Sequence, residues 1–519
     1  MVISNMYSVL LLLSVLCLIA QTSESLRILG IFPMNVKSHF ATCGELMRGL
    51  AEKGHRVDVY SHFPLKNPKP PNYTDYSLDG TLAPVTNNLT YDVTSLTTAT
   101  DAIVTWLELG GRPACQLIGL PIFQKLLHEP PKDPAYDLVI VEVSLANCHI
   151  AWGRRLNIPV IGVVAPLLPD WLHNHLGNPI NLAVESSSFA PFAAPASFYE
   201  RLKNFYIFHH LRLSFNYYVR RQDEYVAKFF GTDYPNSVEL QKDLSLVLVN
   251  HHSALSGLRT FAPPVVPIGG LHIVDRNESL PQELQEWLDE SKHGFVYFSF
   301  GSMIRIETFP DHMLDAFYKT FKNIAPVRVL LKIARPEELP AGMPSNVLTQ
   351  SWIPQIQVLK HKRIKAFVTH GGLMGTQEAA RYGVPMVGVP LISDEFFNVE
   401  NCVRKRIAVK VDLKQVTEKT LTRALRQVLD DPFYKRNAEQ ISKDFTDVPM
   451  TPMNTALFWI EYIARHGKNA LRSPIVDMPW WQSSLFDVYT FICAVFVLTT
   501  CIVKIVYKKV VRTMKLKND

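Results

Sequence analysis

Short apolar runs alternate with longer amphipathic stretches along most of the chain. Five runs in the first half predict buried strands, at Arg27–Phe32, Arg56–Tyr60, Leu138–Val143, Val160–Val164 and Leu244–Val249. Five more follow in the second half, at Phe295–Phe300, Val327–Leu331, Ala366–Val368, Pro385–Val389 and Ala408–Val411. Near-continuous Val, Ile and Leu between helices is typical of parallel strands that are covered on both faces. The pattern therefore predicts an α/β protein with two doubly wound domains.

The break between these two Rossmann-like domains is predicted in a proline-containing segment. Residues 260–277 hold Pro263, Pro264 and Pro267 and are expected to be the linker. The N-terminal domain then covers residues 26–259 and the C-terminal domain covers residues 278–470. Two such domains bind their ligands in the cleft between them, at the C-terminal ends of the strands.

The N-terminus carries an apolar stretch that is too short to span a membrane. Residues 9–20 are apolar, and polar or small residues follow up to Ser25. This length favours a cleaved signal peptide over residues 1–25, and an uncleaved anchor is the alternative.

The C-terminus carries a longer apolar run, with one charge near its end. Residues 488–507 comprise 20 residues that include only Lys504 as a charged group. At about 1.5 Å per residue, a helix of this length spans roughly 30 Å, the hydrocarbon thickness of a bilayer. The run therefore predicts a transmembrane helix, preceded by a juxtamembrane segment at 471–487. The basic tail at 508–519 is expected to stay in the cytoplasm, which makes this a single-pass type I membrane protein.

The tail and the glycosylation sequons indicate the compartment. Lys517 and Lys515 stand third and fifth from the C-terminus, which resembles a dilysine retrieval signal of the endoplasmic reticulum. A plain solvated basic tail is the alternative. Sequons at Asn72, Asn88 and Asn277 all fall on the predicted lumenal side. We expect an endoplasmic reticulum membrane protein with lumenal domains.

Composition and charge exclude several classes of protein. Hydrophobic residues make up 47% of the chain and charged residues 19%, which is typical of a packed globular protein. The net charge is +6, of which +5 lies in residues 504–519, so the body is nearly neutral and nucleic-acid binding is not expected. No pair among Cys43, Cys115, Cys148 and Cys402 has metal-ligand spacing. Buried thiols or one disulfide remain open.

The strongest chemical signal is a strand, turn and helix in the second half. The strand Ala366–Val368 runs into His370, Gly371 and Gly372, and a helix is predicted to follow. The glycines let a ligand approach the backbone, and the amides at the helix N-terminus form an anion site. Glu378 lies about two turns further along, where a carboxylate can accept both hydroxyls of a ribose. Trp352 upstream offers a flat face for a nucleobase.

This assembly resembles the signature of the UDP-glycosyltransferases. It spans 44 residues from Trp352 to Glu395, and the resemblance extends upstream to the strand Phe295–Phe300, which runs into Gly301 and Ser302. The sequence His-Gly-Gly-Leu-Met-Gly-Thr-Gln-Glu is similar to insect members, and the resemblance covers nearly the whole chain. It implies the GT-B fold, in which two Rossmann-like domains face a cleft, with one C-terminal transmembrane helix.

The resemblance also implies a role for each donor-site residue. Trp352 stacks on uracil, Gln355 binds the nucleoside, Glu378 takes the ribose and Asp394 takes sugar hydroxyls. The diphosphate is held by His370, Gly371 and Gly372, with Ser302 opposite. Two residues depart from the family pattern. Glu395 replaces the usual Gln, which adds negative charge beside the sugar, and Met374 replaces an Asn found in many members.

A candidate base follows the first strand. A histidine after this strand, such as His39, points into the cleft, although taken alone it is more often an ordinary loop or cap residue. The resemblance to the family implies that His39 is the base that takes the proton of the acceptor hydroxyl. The family has an Asp in the stretch that here reads Tyr136-Asp137-Leu-Val-Ile-Val-Glu142. Glu142 takes that place and is one methylene longer. We take Glu142 as the partner that orients His39.

Metal use and cofactors are the next chemical question. No two aspartates stand two residues apart, so the Asp-x-Asp motif of metal-dependent glycosyltransferases is missing. We expect a metal-independent, inverting displacement, with the leaving diphosphate stabilised by His370 and the helix N-terminus. The expected co-substrate is a UDP-sugar, with no other cofactor.

Donor and acceptor remain partly open at the sequence level. UDP-glucose is favoured by the similarity of the His-Gly-Gly-Leu-Met-Gly-Thr-Gln-Glu segment to insect members and by Glu395. UDP-glucuronate is the alternative donor. A small lipophilic acceptor such as a phenol or steroid is suggested by aromatic residues of the N-terminal domain, namely Trp106, Phe123, Trp171, Phe189, Phe192, Phe198, Tyr199, Phe205, Tyr206 and Phe208. Core packing is the alternative for each of them. A catalytically weak UDP-sugar-binding partner subunit is the second hypothesis, motivated by Glu142 and Glu395, and a homo-oligomer is possible.

Overall fold

The computed structural model describes residues 25–66, 68–96, 102–276 and 278–518. The predicted signal peptide, apart from Ser25, and the sequon residue Asn277 lie outside the described residues. The chain divides into two compact units, one up to Leu471 and one from Arg472 onward.

Two parallel sheets organise the first unit. The seven-stranded sheet has the order β3-β2-β1-β4-β5-β6-β7, and the six-stranded sheet has the order β10-β9-β8-β11-β12-β13. The strands are β1 Arg27–Phe32, β2 Arg56–Ser61, β3 Tyr73–Ser77, β4 Leu138–Glu142, β5 Val160–Val164, β6 Leu244–Val249, β7 Val265–Pro267, β8 Phe295–Ser299, β9 Arg328–Lys332, β10 Val347–Gln350, β11 Ile364–Thr369, β12 Met386–Gly388 and β13 Ala408–Lys410.

Helices cover the sheets and connect the strands. Those of the N-terminal half are α1 Lys37–Glu52, α2 Tyr91–Leu96, α3 Ala102–Trp106, α4 Arg112–Gln116, α5 Pro121–His128, α6 Ala151–Leu156, α7 Phe198–Tyr218, α8 Asp223–Phe230 and α9 Ser253–Ser256. Those that follow are α10 Gln282–Asp289, α11 Asp311–Asn323, α12 Gln355–Lys360, α13 Leu373–Arg381, α14 Glu395–Arg404, α15 Glu418–Asp430, α16 Pro432–Thr446, α17 Pro452–His466, α18 Trp480–Ser483 and α19 Phe486–Asn518.

The predicted strands are all present, and three further strands were missed. Strand β3 lies at a sheet edge and is mostly not buried, and β10 lies at the edge of the other sheet with intermediate burial. Neither has the Val-rich run that marks a strand covered on both faces. Strand β7 has only three residues and contains Pro267, in the segment predicted as the linker. Edge strands and very short strands thus escaped the apolar pattern.

Helix α17 packs against the first sheet although it follows the second in sequence. Its buried residues Ala456, Leu457, Ile460 and Ile463 join the core that lies against β1, β2 and β4. The contact is close, because a Cβ on Gly49 of α1 would lie 2.3 Å from Met453 Sδ. The end of the chain segment predicted as the C-terminal domain therefore contributes to the N-terminal core.

The structure shows which of the four cysteines outside the two apolar ends are paired. Cys115 and Cys148 form a disulfide, whereas Cys43 and Cys402 are free and buried. Of the two possibilities left open by the sequence, one disulfide is therefore found.

The second unit contains the apolar C-terminal helix. Helix α19 includes the segment Phe486–Met514, which is long and apolar enough to cross a membrane, with a mean hydropathy of 2.2 over its most apolar window. This segment contains the predicted span at 488–507 and begins two residues earlier. Its length and composition are compatible with a membrane anchor.

Candidate active site

Neighbouring strands of the first sheet bring His39 and Glu142 together. Strand β1 leads into α1, whose first turn carries His39, and β4 ends at Glu142. The two strands are parallel neighbours with Ile31 opposite Val141, so their C-terminal ends meet at one edge of the sheet. His39 Nδ1 lies 2.7 Å from Glu142 Oε1, and the carboxylate is buried. A hydrogen bond at Nδ1 leaves Nε2 as the nitrogen that can take a proton.

The environment of His39 favours its protonated form. Burial alone would lower the pKa of His39, but the hydrogen bond and charge of Glu142, together with the charge of Asp394, outweigh it. The pKa of His39 is therefore raised above its ordinary value of 6.5. A raised pKa makes the neutral imidazole a stronger base, and Glu142 stabilises the imidazolium that forms when it accepts a proton.

The turn after β11 needs glycine at two consecutive positions. Gly371 has φ +91°, and a Cβ there would lie 2.4 Å from Val399 Cγ2. At Gly372 a Cβ would lie 2.6 Å from His370 Nε2. Helix α13 begins at the next residue, so its first amides face the cleft beside these glycines. The absence of side chains keeps this anion site open.

His370 is held neutral in this turn. Burial, and then the positive charge of Lys332, lower the pKa of His370 to about 4. Its Nδ1 has no hydrogen-bond partner within the described part of the chain, and its Nε2 lies 3.9 Å from Glu395 Oε1. A neutral imidazole donates one N–H, and a buried donor without a partner favours an acceptor such as a phosphate oxygen.

Gln355 and Glu378 bind each other in the C-terminal half of the cleft. Gln355 Nε2 donates to Glu378 Oε2 at 2.6 Å, and the Tyr297 hydroxyl donates to Gln355 Oε1 at 3.1 Å. His272 Nε2 lies 3.3 Å from Glu378 Oε1. The carboxylate is thus held by one hydrogen bond from Gln355, whose own amide oxygen is fixed by Tyr297, and His272 lies beside it without a hydrogen bond to it. Tyr297 and His272 were not identified from the sequence.

Trp352 is contacted from across the cleft. Its side chain is 48% exposed, and Lys37 Nζ lies 3.5 Å from the centroid of its ring. This is a cation–π contact between the first helix of the N-terminal domain and the loop before α12. One face of the indole therefore lies against the other domain.

The two acidic residues before and at the start of α14 have different partners. Asp394 Oδ2 accepts a hydrogen bond from Asn398 Nδ2 at 2.8 Å. Glu395 Oε2 accepts from the amides of Leu391 and Ile392 at 2.7 and 2.9 Å. Burial raises the pKa of both carboxyls, and that of Glu395 well above its ordinary value. Glu395 therefore anchors the backbone before α14, and burial disfavours the full negative charge that the sequence suggested there.

Lys332 is a buried cation that the sequence did not reveal. It ends β9, its side chain is 4% exposed, and burial lowers its pKa to about 8. Its Nζ donates to Asn87 Oδ1, and the backbone amide of Asn87 donates to the Ser302 carbonyl at 2.8 Å. Within the described residues Lys332 forms no ion pair. The only available signal was its place at the C-terminal end of a predicted strand.

These residues line two cavities of the cleft, which share part of their lining. The larger cavity, of about 460 Å³, is lined by nearly all predicted site residues, namely His39, Ser302, Trp352, Gln355, His370, Gly372, Glu378, Asp394 and Glu395. Lys37, His272, Tyr297 and Lys332 line it as well. Glu142 and Gly371 stand behind it, through their contacts with His39 and with Val399.

The smaller cavity, of about 140 Å³, is mostly apolar. It shares His39, Asp394 and Glu395 with the larger one and is lined by Trp106, Trp171 and Phe189. These are three of the ten aromatic residues considered for an acceptor pocket. Phe123 and Phe208 are instead buried in the core, and Phe192 packs against it. Four others, Phe198, Tyr199, Phe205 and Tyr206, lie exposed on α7, because that helix buries only its opposite face.

Residues that could ligate a metal ion do not cluster in the described part of the chain. Across residues 25–66, 68–96, 102–276 and 278–518, no group of three or more His, Cys, Asp or Glu side chains could hold a metal ion.

A protein-family model and several known proteins match most of the chain. A family model described as "UDP-glucoronosyl and UDP-glucosyl transferase" matches residues 31–518. "UDP-glucosyltransferase 2" of Dactylopius coccus is 32% identical over 507 residues, which cover 97% of this chain and 96% of that protein. "UDP-glucuronosyltransferase 2A3" of Mus musculus is 31% identical, over 74% of this chain and 71% of its own length.

Solved structures show the same fold at low sequence identity. The glycosyltransferase VinC, crystallised with dTDP, superposes with a TM-score of 0.55 at 18% identity, over 85% of this chain and all of its own. The glycosyltransferase of kitacinnamycin gives the same TM-score over 84% of this chain. The arrangement of two Rossmann-like domains around a cleft is therefore the GT-B fold that the sequence predicted.

Proposed function

Because the chain belongs to the family of UDP-glucoronosyl and UDP-glucosyl transferases, it is a glycosyltransferase that takes its sugar from a UDP-sugar. We propose that it transfers a hexose, glucose by preference, to a hydroxyl of a small lipophilic acceptor. The observation that carries this proposal is the His39–Glu142 pair, 2.7 Å apart, at the point where the two cavities meet.

The proposed reaction is a single displacement with inversion at the anomeric carbon. The acceptor hydroxyl gives its proton to His39 Nε2 while its oxygen forms the new bond to the anomeric carbon. The bond from that carbon to the UDP oxygen breaks, and UDP leaves with the electron pair. Glu142 stabilises the imidazolium through Nδ1, which is the usual role of a carboxylate behind a catalytic histidine.

The donor is expected to lie in the larger cavity. The neutral His370 and the first amides of α13 face the leaving diphosphate, whose negative charge grows during the reaction. Ser302 follows β8 on the opposite side of this site. Gln355 and Glu378, already bound to each other, are proposed to hold the nucleoside and its ribose. Trp352 is proposed to stack on uracil through a face of its ring.

Glucose is proposed as the donor sugar because two acidic residues lie at the sugar end of the site. Asp394 carries a carboxyl that lines both cavities, and Glu395 lies beside it. A glucuronate carboxylate would meet these groups at close range, and even partial charge there disfavours it. UDP-glucuronate remains the alternative donor, because relatives of both kinds are similar to this chain.

The acceptor is proposed to enter the smaller cavity. Its lining by Trp106, Trp171 and Phe189 suits a flat apolar molecule, and its polar end opens at His39. A phenol, or the hydroxyl-bearing end of a steroid, has this shape and polarity.

The test is a donor and acceptor panel with the full chain in microsomes. Labelled UDP-glucose, UDP-glucuronate and UDP-galactose are supplied in parallel, each with phenols and steroids, once with EDTA and once without. We expect product from UDP-glucose. Product from UDP-glucuronate alone would overturn the donor assignment, and loss of all product with EDTA would overturn the metal-independent route.

His39→Ala separates an enzyme from a catalytically weak partner subunit. We expect turnover to disappear, while UDP binding persists because His39 is not placed against the nucleotide residues. Serine at position 38 provides the matched control, since Ser38→Ala alters the same wall of the cavity without removing the base. If neither the unchanged protein nor His39→Ala shows turnover, and His39→Ala keeps its full biological function, the partner-subunit hypothesis is favoured.

A further inference from the structure

Helix α7 presents a largely apolar face to solvent. Seven large apolar side chains on this helix are each 53–74% exposed. They are Phe198, Tyr199, Leu202, Phe205, Tyr206, Leu213 and Tyr217. Together they expose on the order of 700 Å², which is more than the largest apolar patch of most monomeric proteins. An exposed apolar face of this size marks a site of contact with another protein or with a membrane.

These side chains form one stripe. At 3.6 residues per turn they fall within an arc of about 120° on the helix surface. The opposite side of the helix is buried against the N-terminal domain through Asn204, Ile207, Phe208, Leu211 and Phe215. The helix is thus apolar on both faces, and only one of them is covered within the described residues. We call the exposed residues the aromatic stripe.

Basic residues border the aromatic stripe on both sides. By the same helical spacing, Arg201 and Arg212 lie along one border and Lys203 along the other. Glu200 is the one acidic residue of the helix sequence, and its carboxylate is bound at the helix start by the backbone amides of Ala196 and Ser197. The stripe therefore has a mostly apolar centre, in which His209 and Asn216 are half-buried polar residues, and a positively charged rim.

We propose that the aromatic stripe lies in the headgroup region of a lipid bilayer. Tyr and Phe prefer this region because their rings are apolar while the tyrosine hydroxyl can reach water, and Arg and Lys at the rim can bind lipid phosphates. A second copy of the chain fits less well. A two-fold interface through the stripe would bring Arg201, Lys203 and Arg212 of both copies close together, with no acidic partner.

The chain itself supplies a reason for bilayer contact. It contains a helix, Phe486–Met514, that is long and apolar enough to cross a membrane. A protein held at a bilayer needs only weak additional affinity to keep an apolar face on the lipid, because tethering raises the effective concentration.

The inner side of α7 lies directly behind the smaller cavity. The Phe215 ring stacks on Trp171, with centroids 4.1 Å apart and an angle of 7° between the planes. Trp171 in turn lines that cavity. A helix seated in the bilayer would therefore leave Trp171, Phe215 and the width of the helix, roughly 10 Å, between this cavity and the lipid surface, where lipophilic molecules concentrate.

The test uses the full chain in phosphatidylcholine vesicles. Tyr206→Cys, in a Cys493→Ser and Cys501→Ser background, is labelled with an environment-sensitive fluorophore. The free cysteines Cys43 and Cys402 are buried and should not react. Lys319→Cys is the matched control, on the exposed face of α11, where the lysine side chain is 55% exposed. Leu213→Cys repeats the measurement in case Tyr206→Cys fails to fold.

Lipids with a nitroxide near the headgroup report the depth of the label. At the headgroup boundary, roughly 5–10 Å into the membrane, we expect the emission at position 206 to shift to the blue and to lose about twofold in intensity. The label at position 319 should be unaffected. A label at 206 that behaves like the one at 319 would overturn the proposal. A blue shift without nitroxide quenching, which grows with the protein-to-lipid ratio, would assign the stripe to a second copy instead.

Discussion

At the residue scale, the site depends on pairs of side chains whose protonation is set by burial. Glu142 raises the pKa of His39, whereas burial beside Lys332 lowers the pKa of His370 to about 4. These opposite shifts suit the roles proposed for them, His39 as the base and His370 as a neutral donor. Glu395, bound to two backbone amides, helps to shape the loop before α14. The same residue types perform different tasks because their surroundings differ.

Replacing Glu142 should move the pH profile of the reaction. His39 must be neutral to accept a proton, so kcat/KM falls as the pH drops through its raised pKa. Glu142→Gln removes the negative charge, which lowers this pKa and moves the acidic limb to lower pH. The plateau should also fall, by about 10²–10⁴-fold, because the imidazolium loses its partner. The pH dependence of kcat/KM measures both effects.

Glu142→Asp is the control for this change. It keeps the charge, so its acidic limb should stay close to that of the unchanged protein even if the plateau falls. An acidic limb that does not move in Glu142→Gln would show that the imidazole titrates without help from this carboxylate.

Lys332 should contribute to donor binding. Its side chain is buried, and Glu307, whose negative charge acts on it, forms no ion pair with it, so we expect a diphosphate in the cleft to supply a closer counter-charge. Lys332→Met should weaken UDP binding about tenfold or more, since a charge-assisted hydrogen bond contributes about 1.5–3 kcal/mol. Because burial lowers the pKa to about 8, UDP affinity of the unchanged protein should decline above that pH. Titration calorimetry against pH measures both.

Lys319→Met serves as the comparison, because Lys319 is exposed and pairs with Asp315 at 2.7 Å. If both variants bind UDP equally well at every pH, Lys332 has only a structural role.

At the element scale, the turn between β11 and α13 combines backbone geometry with an open anion site. Gly371 must adopt φ +91°, and the turn must also pass close to Val399 of α14. Thr369 Oγ1 accepts from the Gly371 amide at 3.1 Å, which fixes the turn from the strand side. The turn is therefore held by the strand before it and by the helix that crosses behind it.

Gly371→Ala should destabilise the protein for two reasons. The left-handed backbone costs about 1–3 kcal/mol for a residue with a Cβ, and the clash with Val399 adds about 1–3 kcal/mol. Gly342→Ala is the matched control, because Gly342 has φ +98° but no heavy atom within 4 Å of the added Cβ. Urea unfolding should show a clearly larger loss for Gly371→Ala. Equal losses would mean that Val399 moves away at no cost in free energy.

The elements also show where an apolar pattern is informative. Strands β1 and β4 are buried at every position and were predicted from their Val, Ile and Leu content. Edge strands β3 and β10 are partly exposed, so their sequences resemble those of loops. Helix α7 shows the opposite case, because its aromatic residues suggested a pocket but most of them face away from it. A helix that is apolar on both faces gives no indication of which face is buried.

At the scale of the whole molecule, the disulfide, the exposed sequon residues and the apolar C-terminal helix bear on the predicted compartment. The pair Cys115–Cys148 suits an oxidising compartment, and the sequon residues Asn72 and Asn88 are exposed. Together with the helix Phe486–Met514, these features support our proposal of a single-pass protein with lumenal domains.

This topology is tested in microsomes. With the domains in the lumen, Asn72→Gln and Asn88→Gln should each remove one glycan, seen as a shift on a gel. Protease added outside intact vesicles should remove only the tail at 508–519. Denatured chains should gain one maleimide-reactive thiol in Cys115→Ser, because Cys148 loses its partner. Unglycosylated chains that are digested without detergent would place the domains in the cytosol.

Much of the candidate site was accessible from the sequence, although its assembly was not. His370, Gly371, Gly372 and Glu378 follow one another along a single strand, turn and helix, so their proximity is local. His39 and Glu142 are 103 residues apart, and their contact requires that β1 and β4 be neighbours in the sheet. Tyr297, His272 and Lys332 escaped prediction because nothing in their local sequence distinguishes them from core or linker residues.

The sequence by itself determined the fold class, the family and the local anion-binding turn, because apolar periodicity and a contiguous motif are properties of neighbouring residues. Only the tertiary structure decided that Glu142 meets His39, that Lys332 lies buried in the cleft with no ion pair among the described residues, and that Glu395 is bound by backbone amides. It also decided that the outer face of α7 is left uncovered. These features arise from the packing of segments distant in sequence, where burial and strand order set contacts that no local pattern encodes.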